Sequence, residues 1–153
     1  MKRLSILLIT LLVTVIPTPG RGETLTTVGA GGLFPSDTSF NGVSISGLQS
    51  GYGIVISDDG SAAGQFCTVL LGVSGVSIKI EGTVSSGSRM TANIVTFSGT
   101  STIDMGDGTP SLPGVPFTAT ITTNSNDEGT IGLVLGSTTL PDATVSEGSM
   151  TIK

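Results

Sequence analysis

The chain contains no histidine and no tryptophan, and it has a single cysteine among its 153 residues. Without histidine it cannot assemble a Ser-His-Asp or Cys-His catalytic unit, because the imidazole that moves the proton is missing. One cysteine supports neither a zinc site built from several thiolates nor a disulfide within the chain. The absent residue types therefore exclude several common kinds of site.

Basic residues are also scarce. Six lysines and arginines stand against eleven acidic residues, which gives a formal net charge of −5 and an isoelectric point near 4.3. Binding to a phosphate backbone depends on clustered lysine and arginine side chains. We therefore expect no nucleic acid partner.

The first residues have the order of a secretory signal peptide. Lys2 and Arg3 precede an apolar run over residues 4–16, and a breaker-rich tail follows over residues 17–22. The run has 13 residues, fewer than the about 17 to 25 that a membrane-spanning helix needs, so an uncleaved anchor is the weaker interpretation. We predict that residues 1–22 are removed and that the mature protein is secreted or periplasmic, with no membrane insertion after cleavage.

Short strands dominate the remainder. Threonine, serine and glycine number 23, 20 and 23, and Val76 to Thr83 alternates apolar and polar residues with the period of a half-buried strand. Phe117 to Thr122 and Ile131 to Leu135 show the same period on either side of a turn, which predicts a hairpin. Seven to nine such strands indicate an all-β fold, a small antiparallel barrel with a β-sandwich as the alternative.

Apolar residues are not spread evenly over the predicted mature chain. The segment 23–42 is rich in glycine and is predicted to be an N-terminal arm or loop, whereas residues 43–153 carry the dense strand signals of one antiparallel β-domain. Three prolines and three glycines between Met105 and Pro116 interrupt any ladder, so we expect an ordered surface loop there.

Asp104 and Asp107 flank that predicted loop. Two carboxylates and nearby carbonyl oxygens are the ligands that calcium prefers, although a full calcium-loop spacing is missing. The simpler interpretation is a strand end followed by an Asp-Gly turn. Calcium is therefore the one cofactor that the sequence suggests, and otherwise we expect none.

The aromatic residues are few and are expected inside the protein. Phe66, Phe97 and Phe117 either fill the core or, in a closed barrel, line a small apolar cavity. Cys67 lies in an apolar run and is expected to behave as a small buried hydrophobe.

Several short motifs resemble a compact Gly/Thr-rich all-β domain of unknown function that recurs in secreted bacterial proteins. The resemblance covers about residues 51–153 and depends on Gly51-Tyr52-Gly53, Gly64-Gln65-Phe66, Phe97-Ser98-Gly99-Thr100, Pro116 to Thr120 and Gly148 to Ile152. It implies an exported β-domain and no particular substrate. The chain departs from that domain in lacking histidine, with Lys153 at its end, so a metal role for those histidines does not transfer.

Three functions follow from these observations. The leading hypothesis is an exported non-catalytic β-domain with a structural or interaction role, bound to another protein or to copies of itself through strand edges. The alternative is a barrel that binds a small apolar ligand near Phe66, Phe97 and Phe117. A hydrolase that uses the carboxylates of Asp104 and Asp107 is the third, and it lacks the aromatic platforms that a sugar-binding cleft would need.

The signal-peptide interpretation predicts the mass of the exported protein. Removal of residues 1–22 leaves three basic and eleven acidic residues, a net charge of −8 on a chain that begins at Glu23. Intact mass spectrometry of the protein recovered from its exported compartment should give the mass of residues 23–153. A full-length mass would contradict the prediction.

Overall fold

The computed structural model describes residues 24–124 and 129–153, apart from the side chains of Leu25 and Thr27. Within those residues the chain is built from strands alone, which confirms the all-β prediction; the predicted signal peptide lies outside them. No helix in this part of the chain is long and apolar enough to cross a membrane. In chain order the strands are β1 (Thr24–Leu33), β2 (Ser39–Phe40), β3 (Val43–Ile56), β4 (Ser61–Gly72), β5 (Ser77–Thr91), β6 (Ile94–Asp104), β7 (Leu112–Thr123), β8 (Gly129–Leu135), β9 (Thr138–Thr139) and β10 (Ala143–Ile152).

Eight of these strands close into a ring. From β3 to β8 each long strand pairs antiparallel with the next one along the chain, and β1 closes the ring by pairing with β3 on one side and β10 on the other. The shortest pairing within the ring is between β8 and β10, where Ala143 lies opposite Ile131 and Thr144 lies opposite Thr130. The short strands β2 and β9 add hairpins to β3 and β8. Closure confirms the antiparallel barrel prediction over the sandwich.

Alternation along each strand sends one set of side chains into the ring. In β7 the side chains of Phe117, Ala119 and Ile121 are buried while the threonines between them are half-buried on the outer face. Successive side chains of a strand point to opposite faces, so every long strand of the ring contributes an inner and an outer row. The largest fully buried side chains are Phe66, Phe97, Phe117, Leu48, Ile54, Leu70, Ile78, Ile80, Ile103, Ile121, Ile131 and Leu133.

The prediction of an arm or loop over residues 23–42 was wrong for most of that segment. β1 runs to Leu33, and its glycines lie in two ladders, with Gly29 opposite both Gly51 and Ser149. Backbone hydrogen bonds on both edges hold a strand that has little side-chain propensity of its own, and a bulge at Gly31 and Gly32 absorbs the irregularity. Only residues 34–42 form a connection, with β2 inside it.

The loop predicted between Met105 and Pro116 is shorter than expected. β7 already begins at Leu112, which lies opposite Ile103, and Val115 lies opposite Ser101. The register shifts between these two pairs, where Pro113 and Gly114 interrupt the regular ladder. The connection between β6 and β7 is therefore residues 105–111.

One glycine inside the ring makes room for an aromatic ring. A Cβ atom added to Gly82 would lie 2.8 Å from Phe117 Cε1 and 2.9 Å from the carbonyl oxygen of Thr100. Both distances are shorter than normal contacts, so a larger residue would have to push Phe117 away from its place in the core. By contrast, a Cβ atom at Gly53 on the outer face of β3 would meet nothing within 4 Å.

We predict that Gly82→Ala destabilises the protein by about 1–3 kcal/mol, because added volume in a packed core forces side chains off their preferred positions. The matched variant Gly53→Ala should be neutral or stabilising by up to about 1 kcal/mol, since alanine restricts the unfolded chain without a clash. Urea unfolding of both variants measures the difference. Equal stabilities would contradict the proposed contact with Phe117.

Candidate functional site

The connections between strands are divided between two ends of the ring. Residues 34–42, 73–76, 105–111 and 136–142 all lie at one end, which we call the loop end, because the strands run alternately up and down. The turns at 57–60 and 92–93 lie at the opposite end. The loop end brings together segments that are far apart in the sequence.

The two carboxylates predicted to bind calcium lie at the loop end, three residues apart and exposed. Asp104 Oδ1 accepts a hydrogen bond from the backbone N–H of Gly106 at 2.9 Å. Asp107 Oδ1 accepts bonds from the backbone N–H of Thr109 at 2.9 Å and from its Oγ1 hydroxyl at 2.6 Å. Both carboxylates thus stabilise turns, as the simpler interpretation of the sequence had it.

Hydrogen bonding changes the acidity of Asp107. The hydroxyl and the backbone N–H of Thr109 lower the pKa of Asp107 below its ordinary value of 3.8, because both bonds favour the charged form. Asp59 has the same arrangement with Ser61 at the opposite end of the ring, and its pKa is lowered for the same reason. A carboxylate that holds a turn is thus a recurring feature of this chain.

Calcium binding at Asp104 and Asp107 stays a prediction. Among residues 24–124 and 129–153 no group of three or more His, Cys, Asp or Glu side chains converges as a metal site would require. Backbone carbonyl oxygens and water can supply further calcium ligands. Thermal unfolding with calcium and with a chelator tests the prediction, since an ion that binds the folded state raises Tm.

The three phenylalanines predicted to line a cavity do lie together, at the centre of the ring. Phe66 and Phe117 are stacked with ring centroids 4.6 Å apart, and Phe97 meets each of them edge-on at 6.0 and 6.3 Å. All three side chains are at most 2% exposed. Tyr52 completes the cluster, with its ring centroid 5.2 Å from that of Phe97. The rings are in contact with one another, as in a packed aromatic core.

Cys67 does not lie in the core as expected. Its neighbours Phe66 and Thr68 occupy the inner face of β4, so alternation places Cys67 on the outer face, where it is half-buried and unpaired. Apolar residues on both sides of it in the sequence concealed this alternation.

An exposed apolar surface at the loop end was not predicted. Of the four large hydrophobic side chains exposed in the described part of the chain, Leu33 (59%), Val73 (69%) and Leu112 (50%) lie at or beside this end; Met90 (65%) lies near the opposite end. A groove of about 430 Å³ runs between the β2–β3 and β4–β5 turns, with Val43, Val73 and Val76 along it. We call Val43, Val73 and Val76 the loop-end patch.

Acidic side chains lie at the same end of the ring as the loop-end patch. Asp37, Asp107 and Asp142 are exposed in the connections at this end, and Asp104 is exposed at the end of β6. The acidic β6–β7 connection touches the patch directly, since a Cβ atom added to Gly106 would lie 3.5 Å from Val76 Cγ1. Lys79 lies opposite Asp104, and its Nζ is bound to Oε1 of Glu81 at 2.8 Å.

The valines of the loop-end patch come from two separate segments, so no local sequence motif could have marked them as one surface. The one local signal concerned Val73 alone. It follows the end of an apolar run and directly precedes Ser74-Gly75, a pair typical of turns, so its side chain is expected outside the core.

Comparisons with known protein families, with characterised proteins and with solved structures give no match. The resemblance of residues 51–153 to a secreted bacterial β-domain therefore stays a prediction.

The bonds to Asp107 predict a specific response to Thr109→Val, which removes the hydroxyl donor and keeps the backbone one. The pKa of Asp107 should rise toward its ordinary value, while the pKa of Asp59 stays lowered. An NMR titration of the carboxyl carbons measures both residues in one sample. Equal movement of the two values, or none, would contradict the assignment.

The same bonds fix the sign of a pH effect on stability. Because the pKa of Asp107 is lower in the folded than in the unfolded chain, its turn is stabilised above the unfolded value and loses that support as the pH falls through the folded value. Thr109→Val should therefore flatten the loss of stability below about pH 4. Unfolding midpoints at several acid pH values provide the measurement.

Proposed function

We propose that this chain is an exported, non-catalytic β-domain that acts by binding a protein partner at its loop end. The observation that carries the proposal is the loop-end patch, where exposed Val73 and half-buried Val43 and Val76 line one groove. Scattered exposed hydrophobic residues are common on soluble proteins, but a group that borders one groove is typical of an interaction surface.

The arrangement of the other side chains supports a role for the outer surface rather than for the interior. The inner rows of the ring are used for packing, and Phe66, Phe97 and Phe117 contact one another. The exposed carboxylates of Asp59, Asp104 and Asp107 accept bonds from their own turns. The rim where the connections meet is a surface that remains for contacts with other molecules.

The charge around the patch suggests the chemistry of the partner. Four exposed aspartates lie at the same end of the ring as the apolar side chains, and the predicted mature chain carries a net negative charge. A partner with apolar side chains flanked by lysine or arginine would bury the patch and meet the carboxylates with opposite charge. A second copy of this chain would bring like charges together at that end.

Self-association through strand edges is less well supported by the fold than the sequence suggested. Closure gives β1, β3, β4, β5, β6 and β7 a partner on each side, so few open edges remain among them. The pairing of β8 with β10 is short and is where an added strand would have to enter. A homo-oligomer stays a prediction that light scattering over a concentration series tests.

Binding of a small apolar ligand is the second candidate, and the closed ring with its aromatic centre favours it. A ligand at this place would have to separate Phe66 from Phe117, which are stacked in the structure. Saturating amounts of an apolar ligand would then raise Tm and change the tyrosine spectrum.

The hydrolase hypothesis has weaker support, because Asp104 and Asp107 are exposed and already bonded to backbone groups of their own loop.

Site-specific photocrosslinking tests the proposed function. A photoreactive amino acid at Val73 should give a discrete crosslinked product when the protein is produced and exported by its own cell. The matched control is the same amino acid at Met90, which is as exposed and apolar but lies near the other end of the ring. Crosslinks from both positions, or from neither, would contradict a partner at the loop end.

Charge and salt give a second readout on the same complex. If the aspartates contribute, the yield of the Val73 crosslink should fall as ionic strength rises, because salt screens exposed charges over about 8–10 Å. Asp37→Asn and Asp107→Asn together should lower the yield at low salt. A crosslinking yield that is independent of salt would be compatible with a purely apolar contact and would contradict the proposed basic partner.

A further inference from the structure

Tyr52 places a hydroxyl group inside the aromatic core. It is the only tyrosine of the chain, and its ring packs against Phe66 and Phe97 at centroid distances of 5.8 and 5.2 Å. Its hydroxyl is buried and has no hydrogen-bond partner among residues 24–124 and 129–153. Burial raises the pKa of the phenol well above its ordinary value of 10.0, because the charged form would lose its solvation.

Thr26 places a second hydroxyl in the same interior. The residue is fully buried, and its Oγ1 likewise has no hydrogen-bond partner in the described part of the chain. Thr26 pairs with Ile54 and Val28 pairs with Tyr52, so Thr26 and Tyr52 are diagonal neighbours on the inner faces of β1 and β3. The two unpartnered hydroxyls are therefore contributed by adjacent strands.

Other buried hydroxyls of this protein do have partners. Ser50 and Thr68 bond to each other at 2.6 Å inside the ring, and Ser101 donates to the carbonyl oxygen of Val115 at 3.0 Å. Burying a hydroxyl without a partner costs stability, because its hydrogen bonds to water are lost and not replaced, and most buried hydroxyls in proteins are bonded to protein atoms or to ordered water. Phenylalanine at position 52 would give the same packing without that cost.

We propose that Tyr52 and Thr26 form an internal polar site that binds a small neutral molecule able to donate and accept hydrogen bonds. Water is the smallest member of that class, and internal waters typically make about three hydrogen bonds to groups of this kind. The molecule is neutral because the buried polar residues of the described chain are all threonines and serines, Tyr52 apart, and none could compensate a charge. The site is independent of the loop-end patch.

The sign of one stability change tests the proposal. If the Tyr52 hydroxyl holds a bound molecule, Tyr52→Phe removes a satisfied bond, and Tm should fall by roughly 2–4 °C. If the hydroxyl is bare, the same substitution removes a desolvation cost, and Tm should rise, which would overturn the proposal. Thr68→Val provides the reference for loss of a known buried bond, to Ser50.

A double-mutant cycle with Thr26→Val tests whether the two hydroxyls share one bound molecule. When they do, the second substitution costs less than the first, because the molecule has already lost one of its anchors. Additive shifts in Tm would overturn the shared site. Tyr52→Phe keeps the ring of the core cluster, so both variants should fold and remain measurable.

The identity of the molecule follows from two measurements on the wild-type protein. Water at the site should give nuclear Overhauser contacts from the Tyr52 ring protons to slowly exchanging water protons. A small organic molecule should instead appear as added mass in native mass spectrometry and be absent from Tyr52→Phe. Either result supports the site. Neither signal, together with a raised Tm for Tyr52→Phe, would refute it.

Discussion

Closure of the ring by backbone hydrogen bonds is the constraint on which the rest of this structure depends. Once β1 lies between β3 and β10, the six consecutive long strands from β3 to β8 are held in a closed sheet, and every residue is assigned to an inner or an outer face. The glycines of β1 tolerate this position because their backbone groups bond on both sides. A strand with few apolar side chains is thereby as necessary to the fold as the strands that fill the core.

A closed interior has a fixed volume, and that volume accounts for the pairing of large and small residues inside it. Phe117 stacks on Phe66 and reaches the space over Gly82, where no side chain fits. The same restriction makes Tyr52 informative: its ring belongs to the cluster, but its hydroxyl adds a polar atom that the packing does not require. Interior polar atoms in such a space need a partner that is itself small.

The sequence was a good guide wherever a strand carries its own alternation. β5 and the hairpin of β7 and β8 were predicted from period-two patterns. The turn roles of Asp104 and Asp107 were predicted from the Asp-Gly pair. Both kinds of signal are local in the sequence. The glycine-rich half of β1, from Gly29 onward, could not be predicted, since what makes it a strand is the presence of two partners far away in the chain. Cys67 was misplaced because its apolar neighbours Val69 and Leu71 continue along the outer face.

The loop-end patch shows why function was harder to predict than fold. Val43 begins β3, and Val73 and Val76 belong to the turn after β4, so the pairing of β3 with β4 is what brings them to one groove. Closure of the ring bonds most strand edges and fills the inner face, which removes two of the usual places where a β-domain meets other molecules. Contacts are then left to the outer faces and to the connections. Of these, the connections at the loop end combine exposed apolar side chains with a single sign of charge at Asp37, Asp107 and Asp142, and the proposed selection of a partner by area and charge depends on that combination.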